Sequence, residues 1–83
     1  MSRLYCPAPS VDVSTDEKGR PVTLHWRGNT YRGEARSHWR IRTGWWEGEE
    51  IHRDYYLYEA DDLLCEVYLD KRKGDWRLHR IYD

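Results

Sequence analysis

The sequence alternates between two kinds of residue with a period of two over most of its length, and this pattern constrains the fold more than any other feature. Between positions 31 and 42, the odd positions carry Tyr, Gly, Ala, Ser, Trp and Ile, whereas the even positions carry Arg, Glu and His. Successive side chains of a β-strand point to opposite faces, so this period is typical of strands with one buried face. The one stretch with helical spacing, YEADDLL, is too short and too acidic to persist as a helix. The sequence therefore predicts an all-β fold.

Short segments rich in Gly, Asp and Asn separate the alternating runs and predict turns. Gly28-Asn29 in particular is expected to be a two-residue hairpin turn. The runs between the turns predict strands at residues 10–15, 20–27, 30–43, 51–59, 63–69 and 76–82. Five to six strands in 83 residues predict a small, strongly curved antiparallel sheet or half-open barrel, SH3-like in size. Residues 10–83 are expected to form a single β domain, and residues 1–9, which contain Pro7 and Pro9, a flexible N-terminal tail.

The apolar phase of the strands predicts which side chains are buried. If Trp26 pairs with Tyr31, the odd positions of the strand at 30–43 face inward, and small residues such as Gly33 allow it to bend. The side chains expected to be largely buried are Trp39, Ile41, Val67, Leu69, Trp76 and Leu78. In the following strands, Tyr55, Leu57, Leu63 and Cys65 are expected to join this core face.

Charge is distributed in blocks. Residues 20–42 carry a net charge of +5 and residues 43–70 one of −8, within a total of −1. The even positions of the long strand form a basic ridge, followed by two tryptophans, and Arg combined with aromatic rings suits phosphate or a protein partner. The candidate binding residues are Arg27, Arg32, Arg36, His38, Arg40, Arg42, Trp45 and Trp46. Alternatively, neighbouring strands or Glu47, Glu49 and Glu50 neutralise the ridge, and most aromatic rings serve the core.

A second polar face is a further candidate. The expected register places Tyr56, Glu66 and His79 in one row across three strands. A His beside a carboxylate can act as an acid–base pair, although such a row is more often a cross-strand hydrogen-bonding ladder. The residues assigned to this face are Tyr56, Tyr58, Glu66, Tyr68, Arg77 and His79. Because no phosphate-binding loop, nucleophile motif or metal-ligand spacing accompanies them, we assign no catalytic residue, metal or cofactor.

The sequence contains two cysteines, Cys6 and Cys65, and both thiols are expected to be reduced. The chain contains no apolar run long enough for a signal peptide or a membrane span, so we expect a cytoplasmic protein without membrane contact. Cys65 lies in an apolar alternation and is expected to be buried, whereas Cys6 lies in the tail. We therefore expect no disulfide between them.

Several motifs resemble a known family. The most specific are Arg53-Asp54-Tyr55-Tyr56 and the ending WRLHRIYD, with EVYLD between them; the WRG of the first hairpin and Trp45-Trp46 add support. From about residue 11 to the end, the chain resembles an uncharacterised bacterial domain family found alone and at the C-terminus of ImuB-type Y-family polymerase homologues. This resemblance implies a setting of DNA repair or translesion synthesis and a partner among the proteins of a mutagenesis cassette. It implies no reaction.

Two functions outside catalysis fit these features. The first is a non-enzymatic interaction module that docks a polymerase-cassette protein through an Arg, Trp and Tyr surface, since these residue types dominate interface hot spots. The second is direct binding of single-stranded nucleic acid, with Arg holding the backbone and Trp stacking on bases. The sequence does not separate the two.

Overall fold

The computed structural model describes residues 2–4, 8–43 and 51–82, and these form seven β-strands without a helix. The strands are β1 (Ser2–Leu4), β2 (Asp12–Thr15), β3 (Pro21–Trp26), β4 (Asn29–Thr43), β5 (Ile51–Ala60), β6 (Leu63–Asp70) and β7 (Asp75–Tyr82). The predicted all-β class is confirmed. The six strands from β2 to β7 agree with the predicted number and lie within two residues of the predicted boundaries.

The strands form one antiparallel sheet in the order β1-β7-β6-β5-β4-β3-β2, which curls into a half-barrel. The chain just before β2 lies against β7 at the other end of the sheet. There Val11 N donates to Trp76 O at 3.1 Å, and Leu78 N donates to Pro9 O at 3.0 Å. This segment therefore joins the two ends of the curled sheet.

Part of the N-terminal region forms a strand that the sequence analysis did not predict. Ser2–Leu4 forms β1 and pairs with the C-terminal end of β7, from Leu4 opposite Arg80 to Ser2 opposite Tyr82. Arg77 also donates from Nη1 to the Ala8 carbonyl at 3.0 Å. The sequence analysis expected no strand within residues 1–9, so β1 is an addition to the predicted elements. The reason is that the outer edge of β7 offers unpaired backbone groups, which a short strand can satisfy.

The first hairpin turn lies one residue earlier than predicted. Trp26 pairs with Asn29, so Arg27 and Gly28 are the two turn residues. Both have positive φ, 50° for Arg27 and 80° for Gly28, as the common two-residue hairpin turns require. The pairing of Trp26 with Tyr31 is therefore wrong, and Leu24 lies opposite Tyr31 instead.

β4 is the longest strand and passes from one neighbour to another. Its first residues pair with β3 as far as Arg32, and from Gly33 onward it pairs with β5. A Cβ at Gly33 would collide with the backbone carbonyl of Glu59, so only glycine permits this close approach. The prediction that small residues let β4 bend agrees with this arrangement.

A β-bulge in β4 reverses the phase of its second half. The register shifts between Ala35 and Ser37, which leaves Arg36 as the extra residue. Ala35 lies opposite the core residue Tyr58, but beyond the bulge it is His38 that lies opposite the core residue Tyr56. Trp39 consequently lies on the outer face and is 36% exposed, so its predicted burial is wrong.

The core occupies the inner, concave face. It contains the buried side chains Val11, Leu24, Tyr56, Tyr58, Cys65, Val67 and Leu78, and Trp76 and Ile81 are among the half-buried side chains packed against it. The predicted burial is confirmed for Val67 and Leu78, both 1% exposed, whereas Ile41, Leu69 and Trp76 are half-buried. In β5 the predicted faces are exchanged, because Tyr56 and Tyr58 point to the core and Tyr55 and Leu57 to the outer face. Both faces of β5 are aromatic, so the apolar pattern alone does not distinguish them.

Candidate interaction surface on the outer face of the sheet

Aromatic side chains from four neighbouring strands meet on the outer face. The Trp39 ring stacks on Tyr55 with centroids 5.7 Å apart and planes 8° from parallel. Tyr55 continues the row to Tyr68 at 5.0 Å and to His79 at 5.4 Å. We call these four residues the outer aromatic cluster. Cross-strand aromatic pairs of this kind stabilise a sheet, so the cluster contributes to folding as well as forming a surface.

Arg53 contacts two rings of the outer aromatic cluster. The Arg53 guanidinium lies over the Tyr68 ring, 4.6 Å from its centroid, and Nη1 donates to the Tyr55 hydroxyl at 3.2 Å. Burial lowers the pKa of Arg53, but the Tyr55 hydrogen bond and the charges of Tyr68, Tyr55 and Asp70 outweigh this effect and raise it. Arg53 therefore remains a cation at the border of the aromatic row.

One end of the outer aromatic cluster is open to solvent. Tyr55 and Tyr68 are only 6% and 7% exposed, whereas Trp39 is 36% exposed and Ile51 is 39% exposed. Ile51 shares the outer face because it lies two positions from Arg53, and Ile41 lies directly opposite Arg53. Trp39, Ile41 and Ile51 thus form an apolar edge beside a row of rings, which is the composition expected at the centre of a protein interface.

His79 and Glu66 lie at the other end of the row. His79 Nδ1 is 3.5 Å from Glu66 Oε2, and Arg80 Nε is 3.9 Å from the same oxygen. The predicted proximity of His79 to Glu66 is confirmed. Tyr56 is not in this row, because it lies on the opposite face of the sheet.

The inner face carries a different cluster around the buried carboxylate of Asp54. Arg40 Nε lies 2.9 Å, Lys71 Nζ 3.1 Å and His38 Nε2 3.6 Å from its oxygens. Burial raises the pKa of Asp54, but hydrogen bonds and charge attraction from Arg40 and Lys71 exceed that effect and lower it. Asp54 therefore carries a negative charge that attracts the charged side chains of Arg40 and Lys71. We call His38, Arg40 and Lys71 the inner basic cluster.

Aromatic rings accompany the inner basic cluster. His38 stacks on Tyr56 with centroids 4.5 Å apart and planes 10° from parallel, and Tyr56 lies 5.5 Å from Trp76. Burial raises the pKa of the Tyr56 hydroxyl, as does the charge of Asp54. The stack continues into the core, so it also supports the fold.

The predicted basic ridge is divided by the bulge and is not one surface. Arg32 and Arg36 belong to the part near the β5–β6 turn, where Arg36 pairs with Glu59 at 2.5 Å and with Glu34 at 3.4 Å. Beyond the bulge, His38, Arg40 and Arg42 take the phase of the inner face. Arg27 lies apart, in the first hairpin turn, with its guanidinium 5.1 Å from the Trp26 ring centroid. Trp45, Trp46 and the glutamates at 47, 49 and 50 lie outside the described residues.

Two of the arginines that the sequence analysis assigned to binding have structural partners within the fold. Arg40 contacts the buried Asp54, and Arg36 contacts Glu59 on the neighbouring strand. The alternative that neighbouring strands neutralise the ridge therefore holds for these two positions.

The second candidate face is also divided. Tyr58 is wholly buried and its hydroxyl lies 2.8 Å from the Tyr31 carbonyl and 3.1 Å from that of Val22. Glu66, Tyr68 and His79 lie together on the outer face. Arg77 forms an ion pair with Asp75 and donates a hydrogen bond to the Ala8 carbonyl. As a set, these residues do not form one site.

The cysteine prediction is confirmed for Cys65, which is wholly buried as a free thiol. Burial and the charge of Glu66 raise the pKa of this thiol to about 12, which makes it unreactive. Cys6 lies outside the described residues, so the absence of a disulfide stays a prediction.

Among residues 2–4, 8–43 and 51–82, no group of three His, Cys, Asp or Glu side chains has the proximity of a metal site. The same residues contain no helix able to cross a membrane. Comparison with known proteins finds no matching family model, curated protein or solved structure.

Sequence reasoning missed the outer aromatic cluster. It placed Trp39 and Tyr55 in the core and did not assign Arg53 or Ile51 to a candidate binding surface. The Arg53-Asp54-Tyr55-Tyr56 motif contains the sequence signal for this cluster. Because side chains alternate along a strand, Arg53 and Tyr55 lie on one face and Asp54 and Tyr56 on the other.

Proposed function

We propose that this domain is a non-enzymatic interaction module that docks a partner protein through the exposed end of the outer aromatic cluster. The observation that carries the proposal is the exposure of Trp39 and Ile51 beside a buried tyrosine row. Rings held by stacking lose little conformational freedom on binding, which favours affinity. Arg53 adds a cation at the border of the same surface.

The proposed setting is bacterial DNA repair or translesion synthesis, in the cytoplasm. It rests on the resemblance to the domain found with ImuB-type Y-family polymerase homologues. The partner is accordingly a polymerase homologue or another protein of the mutagenesis cassette. No catalytic step is part of this proposal.

Calorimetric titration of the full chain with an ImuB-type polymerase homologue tests the proposal. Trp39→Ala should weaken binding by about 30-fold or more, because a hot-spot residue contributes about 2 kcal/mol or more. Leu4→Ala is the matched control, since Leu4 is an exposed apolar residue on the distant strand β1. The melting temperature of each variant checks that the fold is retained.

Equal losses for Trp39→Ala and Leu4→Ala would contradict the assigned surface. Absence of binding to every protein of the cassette would contradict the proposed setting.

A second function, binding of single-stranded nucleic acid, is favoured by the inner basic cluster. Three basic side chains surround one carboxylate there, and the stacked rings of His38 and Tyr56 lie beside them. Fluorescence titration with a single-stranded oligonucleotide at two salt concentrations tests this alternative. Affinity that falls steeply with salt and is lost in His38→Ala would support it, because phosphate contacts release counterions.

A further inference from the structure

Among the described residues, no strand pairs with one edge of the second half of β4, which we call the free edge. β3 pairs with β4 only as far as Arg32, while β5 pairs with the other side of β4 from Gly33 to Thr43. In the part of the chain that the structure describes, no backbone hydrogen bond joins residues 35–43 to any strand except β5. Within the described ranges, alternate backbone N–H and C=O groups along this side of residues 35–43 therefore have no strand partner.

This free edge differs from the other outer edges of the sheet. β7 is covered along its outer side by β1 and by the segment around Ser10. β2 is only four residues long and is interrupted by a register shift at Thr15. The free edge of β4 is long enough to accept a whole additional strand, since strands are typically five to six residues long.

The buried side chain of Tyr58 contacts both β3 and β4 near the point where the two strands separate. The Tyr58 hydroxyl lies between the carbonyls of Val22 and Tyr31, at 3.1 Å and 2.8 Å. The hydroxyl has one proton, which it can donate to either of these carbonyls. β3 is therefore anchored where it separates from β4, and the free edge is built into the fold.

The two faces of the free edge define the chemistry of a matching strand. On the inner side it carries His38, Arg40 and Arg42, and on the outer side Ser37, Trp39 and Ile41. In an added strand, side chains directly opposite these residues lie on the same face. A strand that alternates acidic with apolar side chains would place carboxylates beside the cations and apolar groups beside Trp39 and Ile41.

The same charges disfavour a second copy of this chain as the occupant. Antiparallel pairing of two β4 edges would bring the cations of one strand against those of the other, and like charges directly opposite are destabilising. Cations along an edge are a common protection against self-pairing. An acidic strand meets no such barrier.

We propose that the free edge of β4 accepts an extended peptide strand of a partner protein in which acidic and apolar residues alternate. The inference rests on the proposed interaction function and names the partner segment for the same surface, since Trp39 belongs to both. Main-chain hydrogen bonds supply affinity in such strand addition, and the alternating side chains supply specificity.

A fluorescence anisotropy titration tests the inference with the full chain and labelled eight-residue peptides that alternate Glu and Val. The expected result is saturable binding that is lost when Lys replaces Glu. Arg42→Glu should weaken binding of the Glu peptide by about five-fold, because a cross-strand charge pair becomes repulsive. Lys18→Glu reverses a charge in the exposed β2–β3 turn and is the matched control.

Backbone methylation of the peptide separates strand addition from side-chain docking. Alternate N–H groups of a strand point to opposite edges, so methylating one alternate set should abolish binding and methylating the other should preserve it. Hydrogen exchange should slow at alternate amides of residues 35–43 when peptide is bound. Equal loss for both methylated peptides, or unchanged exchange in β4, would overturn the inference.

The outcomes for the two proposals are distinguishable. One outcome is that the polymerase homologue binds, that this binding depends on Trp39, and that the Glu and Val peptides do not bind. This outcome overturns the free-edge inference and leaves the interaction function intact. Peptide binding without any cassette partner supports the free edge and contradicts the setting. A concentration-dependent dimer in sedimentation that excludes the peptide would identify a second copy as the occupant and overturn the inference.

Discussion

At the scale of single residues, Asp54 shows how one buried charge organises its surroundings. Its side chain is 5% exposed, and Arg40, Lys71 and His38 converge on its oxygens from two other parts of the chain. A buried carboxylate is costly unless it is paired, and removal of one member leaves the others uncompensated. Reversal of the charge at Arg40 is therefore expected to destabilise the fold, because it would place a second negative charge beside Asp54.

Asp54→Asn should alter the acid dependence of stability. The folded pKa of Asp54 is lowered below its ordinary value of 3.8, so its charged form stabilises the protein above that value. This stabilisation is lost as the pH falls through the lower folded pKa. The variant should be less stable at neutral pH and should show a flatter decline in the free energy of unfolding below about pH 4. Urea unfolding between pH 2 and 7 measures both effects.

Asp61→Asn is the control for this experiment, because Asp61 lies exposed in the turn between β5 and β6. The role of Asp54 would be refuted by parallel pH profiles for Asp54→Asn and the unmodified protein.

Gly33→Ala should destabilise the fold through a backbone collision. The added methyl group would meet the carbonyl of Glu59 and the Cα of Ala60, which are backbone atoms that cannot move separately. We expect a loss of about 1–3 kcal/mol or more in the free energy of unfolding, as for overpacked sites. Gly19→Ala provides the comparison, because Gly19 has φ of 82° and open space around it. No measurable loss at Gly33 would show that β4 and β5 can move apart to accommodate the methyl group.

At the scale of elements, the bulge at Arg36 decides what β4 presents on each face. Before it, Ala35 faces the core; after it, His38 and Arg40 take the inner phase and Trp39 the outer phase. One extra residue thereby moves a tryptophan from the core to the surface and divides a basic ridge into two parts. The candidate interaction surface and the free edge both depend on this shift.

Tyr58→Phe should weaken the junction of β3, β4 and β5. The hydroxyl is within hydrogen-bonding distance of two backbone carbonyls, of Val22 and Tyr31, and Tyr58 itself is wholly buried. Removal of this donor should cost about 1–3 kcal/mol, the penalty for leaving a buried polar group unsatisfied. Thermal unfolding measures the loss, and hydrogen exchange should rise first in β3. Tyr31→Phe serves as a control that removes a half-buried tyrosine hydroxyl and keeps the carbonyl in place. An unchanged melting temperature in Tyr58→Phe would contradict the assigned role.

At the scale of the whole molecule, a small inner core is supplemented by the outer aromatic cluster. Seven side chains form the buried inner core, and the rings of Trp39, Tyr55, Tyr68 and His79 cover the other side of the same strands. In a domain of this size the core alone supplies limited stability. The aromatic row therefore serves the fold, and its exposed end remains free for a partner.

Leu78→Ala tests how much the whole fold depends on the inner core. Leu78 is 1% exposed and lies opposite Val67. The expected loss is about 2–5 kcal/mol, because the deletion leaves a cavity that the curled sheet fills only in part. Chemical denaturation followed by tryptophan fluorescence measures it. Leu4→Ala, at an exposed position of β1, should change the midpoint little, and equal effects of the two variants would place the core elsewhere.

The sequence by itself determined the fold class, the strand boundaries and most turns of this protein. These features depend on local chemistry: the period of two specifies strands, and residues such as Gly74, which has φ of 73°, specify where the chain reverses. The burial of Val67 and Leu78 follows from the same pattern, because both lie in the apolar phase of their strands and pair with each other directly before the extra residue His79 of β7.

Only the tertiary structure decided which face of β4 and β5 looks inward. The bulge at Arg36 leaves no mark in the alternation, and β5 carries tyrosines on both faces, so the pattern is compatible with either phase. Pairing settles the choice, because the close approach of Gly33 to Glu59 and the placement of the Tyr58 hydroxyl admit one register. A shift of one residue exchanges every side chain of a strand between the two faces. For this reason the residues of the predicted basic ridge lie in two separate clusters, and Trp39 lies on the surface.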